Sequence, residues 1–359
     1  MLDDPHRQLR EDCRTSLAEL PGLPSQLDGQ RIAVIGGTGF VGSWLAETVA
    51  TLNDDLGSRV RIALLGRSAA RWHDSHPHLK RADISLHAVD ARSPFELPRD
   101  TTLVLFAAGI ADPRVHASDP HRVFQTNVYG IDHALTAAAR LERIQRFVNL
   151  SSGLVLGADL PQRALAEGDV RALDFTRFHN LYAEARRAAE SLACVYAGQY
   201  RIPLSTARAF TFLGPYQALD APWALNNFIR DALVGSEIRI HGDGTAQRSY
   251  LYGSDVAAWL LKLLVNGRDG EVYNIGGNEP VTHGTAAACV ASQTFPKPEV
   301  VYRSQPRENA RNHDFYPDVS HTMQTLAVRP VFGIRAAIER SLRWHAHHLG
   351  AVRRVRTEA

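Results

Sequence analysis

An α/β fold, built on a doubly wound parallel sheet with a smaller lobe toward the C-terminus, is predicted by three features of the 359-residue sequence. The first is Arg31–Gly42, RIAVIGGTGFVG, where a short apolar strand runs through a glycine-rich turn directly into an apolar helix. The second is the alternation of strand-like and helix-like segments, six in all, that continues to Phe210. The third is a change of rhythm past Phe210, where Gly and Pro punctuate the chain more often and strands become short. Folds of this kind bind ligands in the crevice at the carboxyl ends of the strands.

Composition narrows the function classes. Apolar residues make up 45% and charged residues 22% of the chain, with a formal charge of +2, which argues against disorder and against a generic polyanion-binding surface. Cys13, Cys194 and Cys289 are too scattered for a disulfide framework or a zinc site and fit a reducing compartment. No charged leader with an apolar core opens the chain and no apolar run reaches membrane-spanning length, so a cytoplasmic protein without membrane or nucleic-acid partners is expected.

Taken in order, Leu9, Cys13, Leu17 and Leu20 fall at helical spacing before Pro21-Gly22-Leu23-Pro24, predicting a helical extension over residues 1–28. A Rossmann-type domain over 29–210 begins with the strand of Ile32, Val34 and Ile35, followed by a helix from Val41 to about Leu52. In the turn between them Gly36 permits the tight bend, Gly39 lets the backbone approach a pyrophosphate, and Gly42 lets the helix lie against the strand. Thr38, Phe40 and Val41 complete that turn, and the ligand implied is a dinucleotide. A second strand, Val60–Leu65, ends at Gly66-Arg67-Ser68, the place where such domains read the adenosine ribose. It offers Arg67 and no carboxylate, which favours NADP, with NAD the alternative.

A third strand, Ser85–Val89, leads to Asp90 and Ala91, and a fourth, Thr102–Phe106, to Ala107, Ala108 and Gly109, whose small side chains leave room for a cofactor. A helix near Pro120–Arg140 carries Asn127 on an apolar, alanine-rich face. Phe147–Leu150 is the fifth strand and runs into Ser151-Ser152-Gly153; a helix over Asn180–Tyr200 and a sixth strand over Leu204–Ala207 follow. The lobe over 211–350 contains helices at Trp223–Leu233, Asp255–Leu264 and Gly333–His348. His345, His347 and His348 lack supporting carboxylates and are expected to face solvent, with no metal bound. Residues 351–359, with Arg353-Arg354-Val355-Arg356, read as a frayed, solvated tail.

From about Gly29 to about His348 the chain resembles the extended short-chain dehydrogenases/reductases of the NAD(P)-dependent epimerase/dehydratase group, which act mostly on nucleotide-activated sugars. The matching pieces are GGTGFVG at 36–42, DAR at 90–92, FAAG at 106–109, TNVYG at 126–130, LSSGLVLG at 150–157, YAEAR at 182–186, RAFTFLGP at 208–215, GDGTAQRSYLYGSDVA at 242–257 and YNIGG at 273–277. The resemblance implies that Tyr182 is the acid/base, that Ser152 assists at the substrate oxygen, and that Asn127 is a structural or proton-relay group. It places Arg248 on a substrate diphosphate with Asn227 and Phe228 near the nucleotide. A nucleotide-sugar substrate and a homodimer are the partners expected.

Hydride transfer at an oxygen-bearing carbon requires a proton to move on that oxygen, and a phenol does this near neutral pH when a neighbouring cation favours phenolate. The family supplies that cation with a lysine one helical turn beyond the tyrosine, which also holds the nicotinamide ribose. Here Arg186 stands at that position, keeping the charge on a bulkier, planar head that cannot donate its proton. Gly153-Leu154 follows the serine where the family's 4,6-dehydratases resemble one another in carrying Asp-Glu, so dehydration is not expected. Leu156 and Thr211 also replace the family's usual tyrosine and asparagine in the sugar pocket. An epimerase or 4-keto reductase acting on a nucleotide sugar is the leading expectation. Two others stand beside it: a cofactor-binding protein with little turnover, suggested by Arg186, and a reductase of a substrate without a nucleotide, against which Arg248 argues.

Overall fold

The structure, a computed structural model, describes residues 5–235, 237–304, 314–350 and 354–355. Its centre is a parallel sheet of strands β1 (Arg31–Ile35), β2 (Arg61–Gly66), β3 (Ile84–Ala88), β4 (Leu103–Phe106), β5 (Arg146–Ser152), β6 (Leu204–Ala209) and β7 (Val272–Ile275). Their spatial order is β7-β6-β5-β4-β1-β2-β3. Because successive side chains of a strand point to opposite faces, the apolar runs supply two cores. Ile32, Val34, Ile62, Leu64 and Leu105 pack on one face with Leu9, Cys13 and Trp259, while Ala33, Ile35, Leu65, Val104 and Phe106 pack on the other with Ile131, Leu135 and Ala189. The strand order reverses direction between β1 and β4, and the crevice for a ligand opens at that switch.

β7 was not expected as a strand of this sheet. Tyr273 and Asn274 pair with Ala207 and Arg208 of β6, so the C-terminal half re-enters the main sheet and residue 210 is not a clean boundary. The Gly253–Asn266 helix reinforces this, since Val256, Ala257 and Leu260 are buried in the same core as β1 and β2. At the other end, the Pro5–Ala18 helix is fixed by a buried carboxylate: Asp12 accepts from Tyr252 Oη at 2.7 Å and pairs with Arg340 Nε at 2.5 Å. Burial pushes Asp12 up to about 6, against the pull of the Arg340 charge.

The segment expected as one helix over Pro120–Arg140 is three pieces: an α-turn at Pro120–Phe124, a π-turn at Gln125–Tyr129 and a helix at Gly130–Ala138. The alanine-rich Leu181–Tyr200 helix is long and regular, ending where Arg201 takes a left-handed conformation two residues before Pro203. His345 is buried rather than solvent-facing, and burial lowers its pKa to about 4. It follows Ile338, Ser341 and Leu342 at seven, four and three residues and so shares their buried face of the Ile334–Leu349 helix. Of the tail, Arg354–Val355 forms a short strand antiparallel to Thr294–Phe295, while Arg353 and Arg356 lie outside the described residues. Among the described residues no helix is long and apolar enough to cross a membrane, and no cluster of three or more His, Cys, Asp or Glu is placed to hold a metal.

Candidate active site

A cavity of about 830 Å³ lies along the carboxyl ends of the strands, at the upper end of the usual range for ligand sites. Its floor is the glycine turn between β1 and the Phe40–Leu56 helix. Gly36 has φ +85°, and a Cβ there would stand 2.6 Å from the Ala108 nitrogen. A Cβ on Gly42 would overlap the Gly37 carbonyl, so this glycine allows the helix to seat on the turn and does not itself line the cavity. Gly39 differs from both. Its backbone is extended, and a Cβ would meet only Gly36 O, at 3.5 Å. The helix carries no side-chain cap, which leaves its first N–H groups directed at the space beside Gly39. The cradle at Gly39, the uncapped helix and the size of the cavity fit a dinucleotide.

Thr38, Phe40 and Val41 line the same floor, and Arg67, Asp90, Ala91, Ala107, Ala108 and Gly109 continue it along β2, β3 and β4. Asp90 is the one carboxylate of the lining among the described residues. It is held by Arg92, with Nε at 3.0 Å and Nη2 at 2.5 Å, and this bond keeps its pKa down at about 2.

At the far end of β5 the cavity meets Ser152, Tyr182 and Arg186. Tyr182 and Arg186 are one turn apart on the Leu181–Tyr200 helix, and Arg186 Nε lies 3.3 Å from the Tyr182 hydroxyl. Arg186 Nη1 donates to the Leu150 carbonyl at 2.9 Å, and the guanidinium, 5% exposed, spreads over Gly109. Ser152 Oγ accepts from the Leu154 amide at 3.2 Å, which caps the short turn after β5 and leaves its proton for another acceptor.

The second lobe closes the cavity. Arg248 is anchored by Nη1 to the Gln247 carbonyl at 2.7 Å, with its guanidinium 5.9 Å from the Phe315 ring centroid. Burial lowers its pKa. Burial and then the Arg248 charge also depress His283, which lines the wall beside it. Thr211 lines the cavity too.

Three residues expected at the site stand behind it. Asn127 is fully buried and donates to the Val123 carbonyl at 2.7 Å, while its neighbour Thr126 reaches the cavity. The π-turn explains the exchange, since its extra residue per turn rotates the face that a regular helix would present. Asn227 and Phe228 are also outside the lining; Leu225 and Asn226 face the cavity instead. Phe228 belongs to the core and meets His283 edge-on, at 6.3 Å between centroids. Tyr216, Gln217, Trp223 and Tyr250 line the cavity from loops and His283 from the first position of the His283–Ser292 helix, places with no periodic signal to single them out.

The sequence model of the NAD dependent epimerase/dehydratase family matches residues 32–276. The chain belongs to that family. UDP-glucuronic acid decarboxylase 2 of Arabidopsis thaliana is 26% identical over 312 residues, covering 86% of this chain and 67% of the relative. UDP-N-acetyl-alpha-D-glucosaminuronate decarboxylase of Bacillus cytotoxicus is 26% identical over 325 residues, covering 88% and 97%. Among solved structures, the Bordetella bronchiseptica enzyme WbmF in complex with NADH superposes with a TM-score of 0.76 at 18% identity, over 91% of this chain and 94% of the other. The UDP-glucuronic acid 4-epimerase of Bacillus cereus, in complex with UDP-glucuronic acid and NAD, gives 0.74 at 21% identity, over 89% and 100%. At these identities the solved structures establish the fold. Both of these curated relatives are named as decarboxylases.

Proposed function

We propose that the protein is an NAD(P)-dependent epimerase or 4-keto reductase of a nucleotide-linked sugar, in which Tyr182 exchanges the proton on the reacting sugar oxygen. The observation that carries this reading is that Ser152, Tyr182 and Arg186 line one cavity with the glycine turn at one end and Arg248 at the other. A bound nicotinamide would supply the hydride acceptor or donor. In the oxidising direction the sugar carbon gives up hydride as its hydroxyl proton passes to the Tyr182 oxygen. Ser152 holds that sugar oxygen by hydrogen bond, and Arg186 keeps a fixed positive charge beside the phenol. Arg248 meets the diphosphate with a planar fork of donors. Gly153-Leu154 offers no acid and base for dehydration. Where a ring carbon of the sugar bears a carboxyl group, oxidation of the hydroxyl on the neighbouring ring carbon gives a β-keto acid able to lose CO2, so products are analysed for that outcome as well.

The test is a thermal-shift panel of UDP, dTDP, GDP and CDP sugars, followed by product analysis for whichever nucleotide binds, with NAD+ or NADP+ for oxidation and epimerisation and with NADH or NADPH and the 4-keto sugar for reduction. Stabilisation by one nucleotide class and formation of an epimer, a reduced sugar or NADH support the reading. No shift with any nucleotide moves the assignment to a substrate without one. A second reading, a cofactor-binding protein with little turnover, rests on Arg186, whose head is tied to Leu150 O and crowded on Gly109. A native protein that never turns over, beside an Arg186→Lys variant that does, would favour it.

A further inference from the structure

We propose that His116 is a positioning residue for Tyr182, holding the phenol ring in the orientation that keeps its hydroxyl beside Arg186; this rests on Tyr182 being the proton-transferring group. The two rings are stacked nearly parallel, with centroids 4.4 Å apart and planes 15° from each other. His116 does not line the cavity, so it meets the tyrosine from behind and touches neither cofactor nor substrate space.

The imidazole is itself held. His116 Nε2 lies 2.6 Å from the Ile110 carbonyl, and because a carbonyl only accepts, Nε2 carries the proton. The Pro113–Ser118 helix that bears His116 is capped by Asp112, whose side chain accepts from the Arg114 amide at 2.8 Å. Arg114 Nη1 also donates at 3.0 Å to the carbonyl of Asp220, in the loop whose Gln217, Ala218 and Pro222 line the cavity. The histidine is thus fixed on a strut between the segment after β4 and the loop around Asp220, both of which line the cavity.

A phenol hydroxyl sits far from its Cα, so a small rotation about the side-chain torsions swings the oxygen by an ångström or more. Displacements of about 1 Å at a reacting group cost up to about 100-fold in rate. The helix fixes the Tyr182 backbone but not its ring. His116 supplies the missing restraint from outside the site, and no sequence motif marks it because the restraint is a ring face and not a charge or a spacing.

The experiment compares wild type, His116→Ala and His116→Phe in two measurements. In the first, NAD+-loaded protein is mixed with UDP-glucuronic acid or UDP-glucose and the appearance of NADH is followed. We expect His116→Ala to slow NADH formation about tenfold while KM stays within about twofold, and His116→Phe, which retains a flat ring, to recover to within about threefold of wild type. An alanine variant as fast as wild type, a phenylalanine variant as slow as alanine, or a change confined to KM overturns the proposal. In the second, Tyr182 is nitrated with tetranitromethane and its modification followed by peptide mass. Removal of the covering ring should speed nitration of Tyr182 about fivefold in His116→Ala and leave His116→Phe within about twofold of wild type. Equal rates in all three proteins overturn the stacking restraint. If wild type forms NADH with neither sugar, the functional reading fails for those sugars and the nitration result still decides the role of His116.

Discussion

The guanidinium of Arg186 lies on the backbone of Gly109, so closely that a Cβ at Gly109 would overlap Nη2. The family lysine is narrower at its tip, and the arginine that replaces it here needs a residue without a side chain at the end of β4. Gly109→Ala should therefore destabilise the protein by about 1–3 kcal/mol, the usual cost of overpacking. In an Arg186→Lys background the same change should cost much less. A double-mutant cycle by chemical denaturation measures the coupling, and additive effects would show that the two residues do not share the space.

Gly39→Val should abolish binding of NAD+ and NADP+ while leaving the melting temperature of the free protein nearly unchanged. A Cβ at this position meets nothing nearer than Gly36 O at 3.5 Å, so the substitution is tolerated at the backbone and fills the space where a pyrophosphate would approach the helix N-terminus. Calorimetric affinity equal to wild type would remove the cofactor from this turn.

Arg67 lines the cavity at the end of β2, and the nearby Asp90 is occupied by Arg92. A 2′-phosphate would face the Arg67 guanidinium with the nearby carboxylate already held by Arg92, so NADPH is expected to bind at least as tightly as NADH. Arg67→Ala should weaken NADPH about tenfold and NADH little. Titration of both cofactors gives the answer, and equal losses would leave Arg67 as a surface residue.

Tyr182→Phe should reduce turnover by about 100-fold or more, since the proton then has no carrier at the reacting oxygen. Arg186→Met, which keeps length but removes the charge, should lower the rate markedly, and Arg186→Lys should retain or raise it. Steady-state rates with the nucleotide sugar identified by thermal shift test the series. An unaffected Tyr182→Phe variant would mean that the proton moves elsewhere.

Stability should fall on acidification between about pH 6.5 and pH 4, in part through His76 and His345, whose pKa values burial lowers to about 4. The unfolded chain takes up these protons first, near pH 6.5, so the neutral rings stabilise the native state above that pH and the contribution is lost as pH drops through about 4. Asp12, raised to about 6, works in the opposite sense. Replacing His345 with leucine isolates its share: the variant should lose about 2–3 kcal/mol less than wild type between pH 7 and pH 4.5. Urea titrations at the two pH values measure it, and identical losses would rule His345 out.

What the sequence alone determined was everything carried by local periodicity and by residues that act through the backbone. Apolar runs bounded by small residues defined six strands, the glycine turn after β1 defined a dinucleotide cradle, and the one-turn spacing of Tyr182 and Arg186 put both on one helix face. The tertiary structure decided whatever depends on which face meets which neighbour. β7 has no more residues than β4, but Asn274 breaks its apolar run where β4 is wholly apolar, and it becomes a strand because β6 offers an open edge. A π-turn exchanges Thr126 for Asn127 at the cavity, and the seating of the Ala224–Leu233 helix exchanges Asn226 for Asn227. His345 is buried and His116 stacks on Tyr182 for the same reason: packing partners distant in the chain choose a ring's surroundings, and no pattern of near neighbours encodes that choice.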